Sequence, residues 1–144
     1  MSFLPTTFLL DTNVVSEWTK PLPNPGVTTW IATVPENEIF LSVVSVTELR
    51  YGIERMPMGS RRNRLDQWLL EELLPRFDGR IIPVDLTVAD TCGKLVARSQ
   101  AKGRPLEPRD AFIAATAEAY GLTLVTRNAS DFQPTLNAIL TPWN

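Results

Sequence analysis

The 144-residue chain contains no histidine and a single cysteine, Cys92. Without histidine, the protein cannot use Ser–His or Cys–His nucleophile pairs, a histidine general base or a histidine-ligated zinc site. A lone cysteine can form neither an internal disulfide nor a cysteine-rich zinc site. Any catalytic chemistry must therefore come from carboxylates, hydroxyls, lysine or arginine side chains, or a bound hard cation.

Long apolar runs and a strong excess of one charge are also missing. No apolar run approaches the roughly 20 residues that a membrane-spanning helix needs. The first ten residues carry no positive charge ahead of their apolar stretch, which argues against a secretory signal. Together with the lone cysteine, this predicts a cytoplasmic protein with no membrane partner. The formal net charge of −2 provides no general basic surface, so any nucleic-acid binding has to be local.

Short apolar runs alternate with helical patterns along the chain. The runs of strand length are residues 8–10, 39–41, 81–84, 122–125 and 138–140. Apolar residues at helical spacing lie between them, and the last long helix runs from Pro108 to Tyr120 and ends at Gly121. This alternation predicts a single α/β domain over residues 1–144. Its central parallel sheet has about five strands, with helices on both faces.

Acidic residues recur directly after strand-like runs. Asp11 follows the first run, and ligands of parallel sheets bind at the carboxyl ends of the strands. Asp11 is therefore a candidate site residue, although Asp-Thr-Asn is an equally good helix N-cap. Asp85, which ends the third run, is interpreted mainly as the cap of the helix that begins near Leu86.

Glu48 and Asp110 fall near the starts of predicted helices. Ser45 and Thr47 are the candidate caps of the first of these helices. The Ser45–Glu48 spacing matches a capping box, and for Glu48 taken alone that structural explanation is favoured. Asp110 follows Pro108 in the first helical turn, where the helix dipole favours an acid.

The acids are more informative together than singly. Asn128 and Asp131 follow the fourth run in a polar turn, so Asp11, Glu48, Asp110 and Asp131 are expected at one edge of the sheet. Clustered carboxylates raise one another's pKa and destabilise a fold unless a cation neutralises them. Oxygen ligands suit Mg²⁺ or Mn²⁺. Such a cation promotes phosphodiester hydrolysis by water, which needs neither histidine nor cysteine.

Motifs spread over nearly the whole chain resemble the PIN-domain ribonucleases, in particular the VapC-like toxins of type II toxin–antitoxin systems and their FitB-like branch. The matching segments occur in the family's order. They are LLDTNVVSE at residues 9–17, LSVVSVTELRYG at 41–52, GRP at 103–105, RDAFIAA at 109–115, TRN at 126–128, DF at 131–132 and PW at 142–143.

The resemblance implies a compact three-layer α/β/α PIN-like domain and an endoribonuclease activity. It also implies an acidic pocket of Asp11, Glu48 and Asp110 that binds Mg²⁺ or Mn²⁺, with Asp11 and Asp110 as direct ligands. Many relatives carry an aspartate where this chain has Asn128. We therefore assign the fourth catalytic and metal-binding acid to Asp131, with Asn128 as a neighbour that positions substrate or water.

Supporting residues follow from the same resemblance. Thr12, Asn13 and Ser45 are expected to orient the pocket through hydrogen bonds. Arg104 and Arg109, together with Arg98 and Lys102, are expected on the approach to Asp110, where basic side chains can hold the RNA backbone locally. The implied partners are an RNA substrate, a second copy of the chain, and a cognate VapB/FitA-like antitoxin. That antitoxin wraps the toxin and blocks the pocket, commonly with an arginine.

Two other functions compete with this one. A phosphoacceptor domain needs adjacent acids after its first strand and a lysine after its last. Asp11 has no acidic neighbour, and no lysine stands beyond Lys102. An aspartate-nucleophile phosphatase needs a second aspartate where Asn13 stands. A catalytically inactive module that kept the fold is the other alternative, and Asn128 is the feature that supports it.

Overall fold

The computed structural model describes residues 6–144. The predictions of one domain over residues 1–144 and of no secretory signal include residues 1–5, which lie outside this range. The strands are β1 Phe8–Leu10, β2 Ile39–Ser42, β3 Ile81–Ile82, β4 Thr123–Val125 and β5 Ile139–Leu140. The α-helices are α1 Thr12–Glu17, α2 Pro25–Thr33, α3 Val43–Glu54, α4 Ser60–Trp68, α5 Leu74–Arg76, α6 Leu86–Ala101, α7 Pro108–Tyr120 and α8 Ala129–Phe132. A short 3-10 helix spans Glu36–Glu38, and a π-helical stretch, Leu69–Leu73, joins α4 to α5.

The strands form one parallel sheet in the order β3-β2-β1-β4-β5. β1 is central, and its Leu9 pairs with Phe40 of β2 and with Leu124 of β4. The chain first adds strands on one side of β1 and then on the other. The strand order therefore reverses at β1, and the crevice at this reversal is where ligands of such sheets bind.

The core lies on both faces of the sheet, as the uniformly apolar strands predict. Leu9 packs with residues of α6 and α7, including Leu95 and Ile113. Leu10 packs on the opposite face with residues that include Val14 and Phe77. Successive strand residues point to opposite faces, so the two neighbouring leucines of β1 reach two separate core layers. The three-layer α/β/α architecture is confirmed.

Several helix ends form where local sequence predicts them. Asp85 caps α6 by accepting a 2.9 Å hydrogen bond from the backbone N–H of Val88. Pro108 occupies the first turn of α7, and Gly121 ends it in the left-handed conformation at φ 66°. That conformation is strained for residues with a Cβ, which explains the glycine.

The predicted start of α3 is wrong. Its cap is Ser42, whose side chain accepts a hydrogen bond from the backbone N–H of Val44 at 3.0 Å. β2 therefore passes into α3 without a loop. Ser45 and Thr47 are not caps, and Ser45 is buried inside the helix. The capping box of Ser45 and Glu48 does not form, because Glu48 lies in the second helical turn.

The longest uninterrupted α-helix among the described residues is α6, with 16 residues. Its buried residues recur at helical spacing, as expected for a helix that covers one face of a sheet. They are Val88, Cys92, Leu95 and Ser99. Among residues 6–144, no helix combines the length and apolarity that crossing a membrane requires.

Candidate active site

Asp11 lies at the carboxyl end of β1, where the strand order reverses, and is only 6% exposed. Its Oδ1 accepts a 2.7 Å hydrogen bond from the backbone N–H of Thr12, so the predicted capping role is real. Its Oδ2 accepts from the hydroxyl of Thr126 at 2.8 Å and from Nδ2 of Asn13 at 3.3 Å. The carboxylate is therefore a helix cap and also a fixed wall of the crevice.

The environment of Asp11 opposes its ionisation. Burial raises the pKa of Asp11 above its usual value, and the negative charge of Asp131 adds to the rise. Hydrogen bonds from Thr126, Thr12 and Asn13 lower the pKa and offset part of this effect. A carboxyl held in this way becomes more readily ionised when a cation lies beside it.

Glu48 reaches the crevice from α3. The hydroxyl of Thr12 lies 2.9 Å from Ser45 Oγ and 3.2 Å from Glu48 Oε1. These contacts join the start of α1 to α3 and fix the direction of the Glu48 carboxylate. Burial raises the pKa of Glu48, the charge of Asp11 raises it further, and the Thr12 hydrogen bond and Arg109 lower it.

Asp110 completes the group from the first turn of α7. Its pKa is raised to about 6, first by burial and then by the charges of Asp11, Glu48 and Asp131. Glu107, which precedes α7, adds to this rise, so Asp110 lies within electrostatic range of the other three predicted site acids and of one further acid. Their mutual repulsion is the expected result of bringing carboxylates together in a partly desolvated place.

Two cavities meet at Asp110. The first, of about 360 Å³, contains Asp11, Glu48 and Asp110 in its wall, with Asn128 beside them. The second, of about 390 Å³, is lined by Asp110 and Asp131 together with the loop that precedes α7. The fourth acid thus lines a different cavity from Asp11 and Glu48, while the amide of Asn128 shares the first cavity with Asp11.

Arg104 and Arg109 lie on two sides of this centre. Arg104 lines the second cavity with Asp110. Arg109 lines a third cavity with Glu48 and Thr12. Both arginines are exposed, so their guanidinium groups are placed to meet a ligand that approaches the acids from solvent.

Arg98 and Lys102 do not share this arrangement. The guanidinium of Arg98 forms an ion pair with Glu118 of α7 at 3.0 Å. The amine of Lys102 donates to the backbone carbonyl of Pro134 at 2.7 Å. Within residues 6–144, neither side chain lines one of the two cavities that meet at Asp110, and their place on the approach to this acid stays a prediction.

The chemistry of the donor set fits a hard divalent cation, since all the converging groups are oxygen ligands. Within residues 6–144, no three Asp, Glu, His or Cys side chains stand close enough together to ligate one ion between them. Mg²⁺ commonly binds through one or two carboxylates and keeps several waters. The residues therefore fit a water-completed coordination shell at Asp11 and Asp110 rather than a preformed cage of acids.

Sequence reasoning missed Thr126, whose buried hydroxyl is the closest side-chain donor to Asp11. The available signal was its position directly after β4, at the same edge as Asp11. Glu17 was also missed, and it is only 4% exposed in the wall of the first cavity. Hydrogen bonds from Lys20 and from the backbone of Asn24 lower the pKa of Glu17. The negative charge of this acid is therefore balanced by Lys20 within the chain.

Comparison with known proteins gives the family. The PIN domain family model matches residues 8–133. The VapC ribonuclease Y4jK of Sinorhizobium fredii is 38% identical over 135 residues, covering 94% of this chain and 96% of the relative. Toxin FitB of Neisseria gonorrhoeae is 36% identical over 136 residues, covering 94% and 98%. The structure of FitAB bound to a DNA fragment has a TM-score of 0.91 at 33% identity, covering 96% of each chain. This chain belongs to the PIN domain family, and the VapC and FitB toxins are among its close relatives.

Proposed function

We propose that the chain is a Mg²⁺- or Mn²⁺-dependent endoribonuclease, the toxin of a type II toxin–antitoxin system. The observation that carries the proposal is the convergence of Asp11, Glu48 and Asp110 on one cavity at the sheet's reversal point. Carboxylates that are held close together repel one another, and a bound cation at that place would remove the repulsion. The names of the relatives, a VapC ribonuclease and Toxin FitB, support the same activity.

In the proposed reaction, different site residues have different roles. Asp11 and Asp110 hold the cation, which supplies water activation and charge neutralisation at the scissile phosphate. Glu48, oriented by Thr12, is placed to accept a proton, and its raised pKa makes it a better base than an exposed glutamate. Asp131 contributes the fourth negative charge from the second cavity.

RNA binding depends on cations outside the acidic centre. Arg104 and Arg109 flank the acids in the neighbouring cavities and hold phosphates of the nucleotides on either side. Asn128, beside Asp11, positions substrate or water in the first cavity. Because the net charge of the chain is −2, this local placement is what allows a polyanion to approach.

We further infer three associations and a location. The protein pairs with a cognate VapB/FitA-like antitoxin, forms a homodimer and acts in the cytoplasm on RNA. A solved assembly of a similar chain, FitAB, was determined with a DNA fragment, which supports the antitoxin pairing. A small neighbouring gene with a DNA-binding N-terminus is the expected genomic context, and light scattering of the purified chain measures the dimer.

The activity is tested with end-labelled single-stranded and structured RNAs in Mg²⁺, in Mn²⁺ and in EDTA. We expect cleavage that needs the cation and that Asp11→Asn abolishes. Asp85→Asn is the matched control, because Asp85 also follows a strand but caps α6 and bonds with Tyr120 outside the acidic cavities. Cleavage that survives both EDTA and Asp11→Asn contradicts the mechanism.

The inactive module remains the second candidate because an amide, Asn128, stands where many relatives carry an acid. It predicts that the wild-type chain binds RNA or protein and cleaves no RNA under any divalent cation. The same assay separates the two functions when RNA binding is measured beside cleavage. Retained binding without any cleavage favours the module, and cation-dependent cleavage excludes it.

A further inference from the structure

Trp143, from the last residues of the chain, forms part of the wall of the first acidic cavity. It lines the same space as Asp11, Asp110 and Asn128. The guanidinium of Arg127 lies 5.8 Å from the centroid of the Trp143 ring. The cavity wall thus contains an aromatic side chain and a cation in addition to the acids. Neither Trp143 nor Arg127 has a role in the reaction proposed above.

The indole is held in place from behind. Trp143 is half-buried against the core layer beneath it, so part of its surface remains available to the cavity. The following residue, Asn144, receives hydrogen bonds from Nδ2 of Asn24 at 3.0 Å and from the backbone N–H of Gly26 at 3.2 Å. The end of the chain is therefore fastened to the start of α2, and the aromatic surface is preorganised.

Arg127 is the cation of this wall that is available to a ligand. In the described part of the chain it forms no ion pair, and its side chain is exposed. Lys20, the other basic residue of the cavity, is bound to the buried Glu17 at 2.8 Å. The wall therefore offers a guanidinium without an ion-pair partner among residues 6–144, placed over the ring of Trp143.

We propose that Trp143 and Arg127 form a subsite that stacks one nucleobase of the RNA next to the cleavage centre and holds the adjoining phosphate. The inference rests on the proposed ribonuclease function. Bases stack on aromatic rings and on arginine planes irrespective of their identity. Stacking is also an attraction that the neighbouring carboxylates do not oppose, because the base carries no charge. With Arg109 in the neighbouring cavity that Glu48 also lines, the subsite defines a path for the strand across the acids.

The test is a double-mutant cycle measured as RNA binding. Asp11→Asn is the background, so that the RNA stays intact, and a single abasic nucleotide is moved along a short single-stranded RNA. We expect Trp143→Leu to weaken binding about tenfold, and one abasic position to weaken binding of the parent by a similar factor. The Trp143→Leu variant with the abasic RNA should bind only slightly more weakly than with either change alone, since each change removes the same contact.

Tyr120 provides a control, because this exposed aromatic residue bonds with Asp85 and lines none of the three cavities around the acids. Tyr120→Leu should show no coupling to the abasic position. Trp143→Phe should retain most of the binding and guards against a folding defect. Arg127→Gln should reduce the salt dependence of binding by about one counterion.

Three results overturn the subsite. They are losses of binding that simply multiply at every abasic position, coupling that appears with Tyr120→Leu instead, and an unchanged salt dependence in Arg127→Gln. Loss of antitoxin binding with unchanged RNA binding would also assign this wall to a protein contact. Because the readout is binding, a wild-type chain that cleaves no RNA contradicts the proposed function and still leaves the subsite measurable.

Discussion

The hydroxyl of Thr126 donates a 2.8 Å hydrogen bond to Oδ2 of Asp11 between two buried side chains that are 115 positions apart in sequence. The same hydroxyl accepts a hydrogen bond from the backbone N–H of Asn128 at 3.0 Å. It therefore ties the ends of β1 and β4 together and fixes the oxygen of Asp11. A group that supports a site acid in this way commonly matters nearly as much as the acid itself.

Replacing Thr126 with valine keeps the side-chain shape and removes the donor. We expect the free energy of unfolding to fall by about 1–2 kcal/mol and RNA cleavage to fall about tenfold. The pH at which cleavage appears should rise, because Asp11 loses a hydrogen bond that lowers its pKa. Urea unfolding and a pH–rate profile measure these effects. Thr126→Ser keeps the hydroxyl, and an equal loss in that variant contradicts the explanation.

Asp110→Asn should stabilise the protein in EDTA. The folded-state pKa of Asp110 is about 6, against 3.8 in its ordinary state. Between about pH 4 and 6 the folded chain therefore binds more protons than the unfolded chain, and stability falls as pH rises through that window. At pH 7 we expect the asparagine variant to be about 1 kcal/mol more stable, after allowing for solvent screening of this half-buried group.

The measurement is thermal or urea unfolding of both proteins at pH 4 and pH 7. Their difference should shrink towards pH 4, where the native carboxyl is protonated. Saturating Mg²⁺ or Mn²⁺ should raise the melting temperature of the wild type more than that of Asp110→Asn, because ligands stabilise the state that binds them. A variant that is less stable than the wild type at pH 7 in EDTA is evidence against the repulsion described for this site.

Asp131 and Asn128 can be distinguished as contributors to catalysis. Asp131→Asn should lower the pKa of Asp110, because the charge of Asp131 is among the causes of its rise. It should also reduce cation-dependent cleavage about tenfold or more. Asn128→Ala should have a smaller effect on cation affinity, since the amide brings no charge. RNA cleavage measured over a range of Mn²⁺ concentrations compares the two variants. If Asn128→Ala loses more cation affinity than Asp131→Asn, the fourth site residue is Asn128 and not Asp131.

Gly26 allows the end of the chain to approach α2. A Cβ at this position would collide with the backbone carbonyl oxygen of Pro142. We expect Gly26→Ala to reduce stability by about 1–3 kcal/mol and to weaken RNA binding, because Trp143 is displaced with the segment. Chemical unfolding and RNA titration measure both effects.

Gly93 is the matched control for this substitution. It lies inside α6 with open space where a Cβ would stand, so alanine there should stabilise the helix by about 0.5–1 kcal/mol. The close approach at Gly26 is disproved if both alanine variants stabilise the protein equally.

Local patterns were sufficient for much of the fold. The apolar runs predicted all five strands with small differences at their ends, and Asp85 and Gly121 predicted two helix boundaries. These features depend on residues within a few positions of one another, such as an aspartate that accepts from a nearby backbone N–H. The sequence also predicted that Asp11 lies at the edge of the sheet, because the carboxyl end of a buried parallel strand is on the ligand-binding side.

The role of Glu48 shows where local reasoning fails. Its spacing from Ser45 favoured a capping box, yet the helix begins at Val43, so Ser45 is buried and contacts Thr12 instead. Ser42 caps α3 instead, directly at the end of β2. Both serines are plausible caps in the local sequence, and the burial of Ser45 against Thr12 of a distant element is a tertiary property that a four-residue motif does not carry.

By itself, the sequence determined the class of fold and the kind of chemistry, because apolar periodicity specifies buried elements and the absence of histidine leaves oxygen ligands. Only the tertiary structure decided which residues act together. It placed Thr126 against Asp11, Asp131 with Asp110 in the second cavity, and Trp143 with Arg127 in the first. These relationships join parts of the chain that are distant in sequence, and they arise when parallel strands bring their carboxyl ends to one edge.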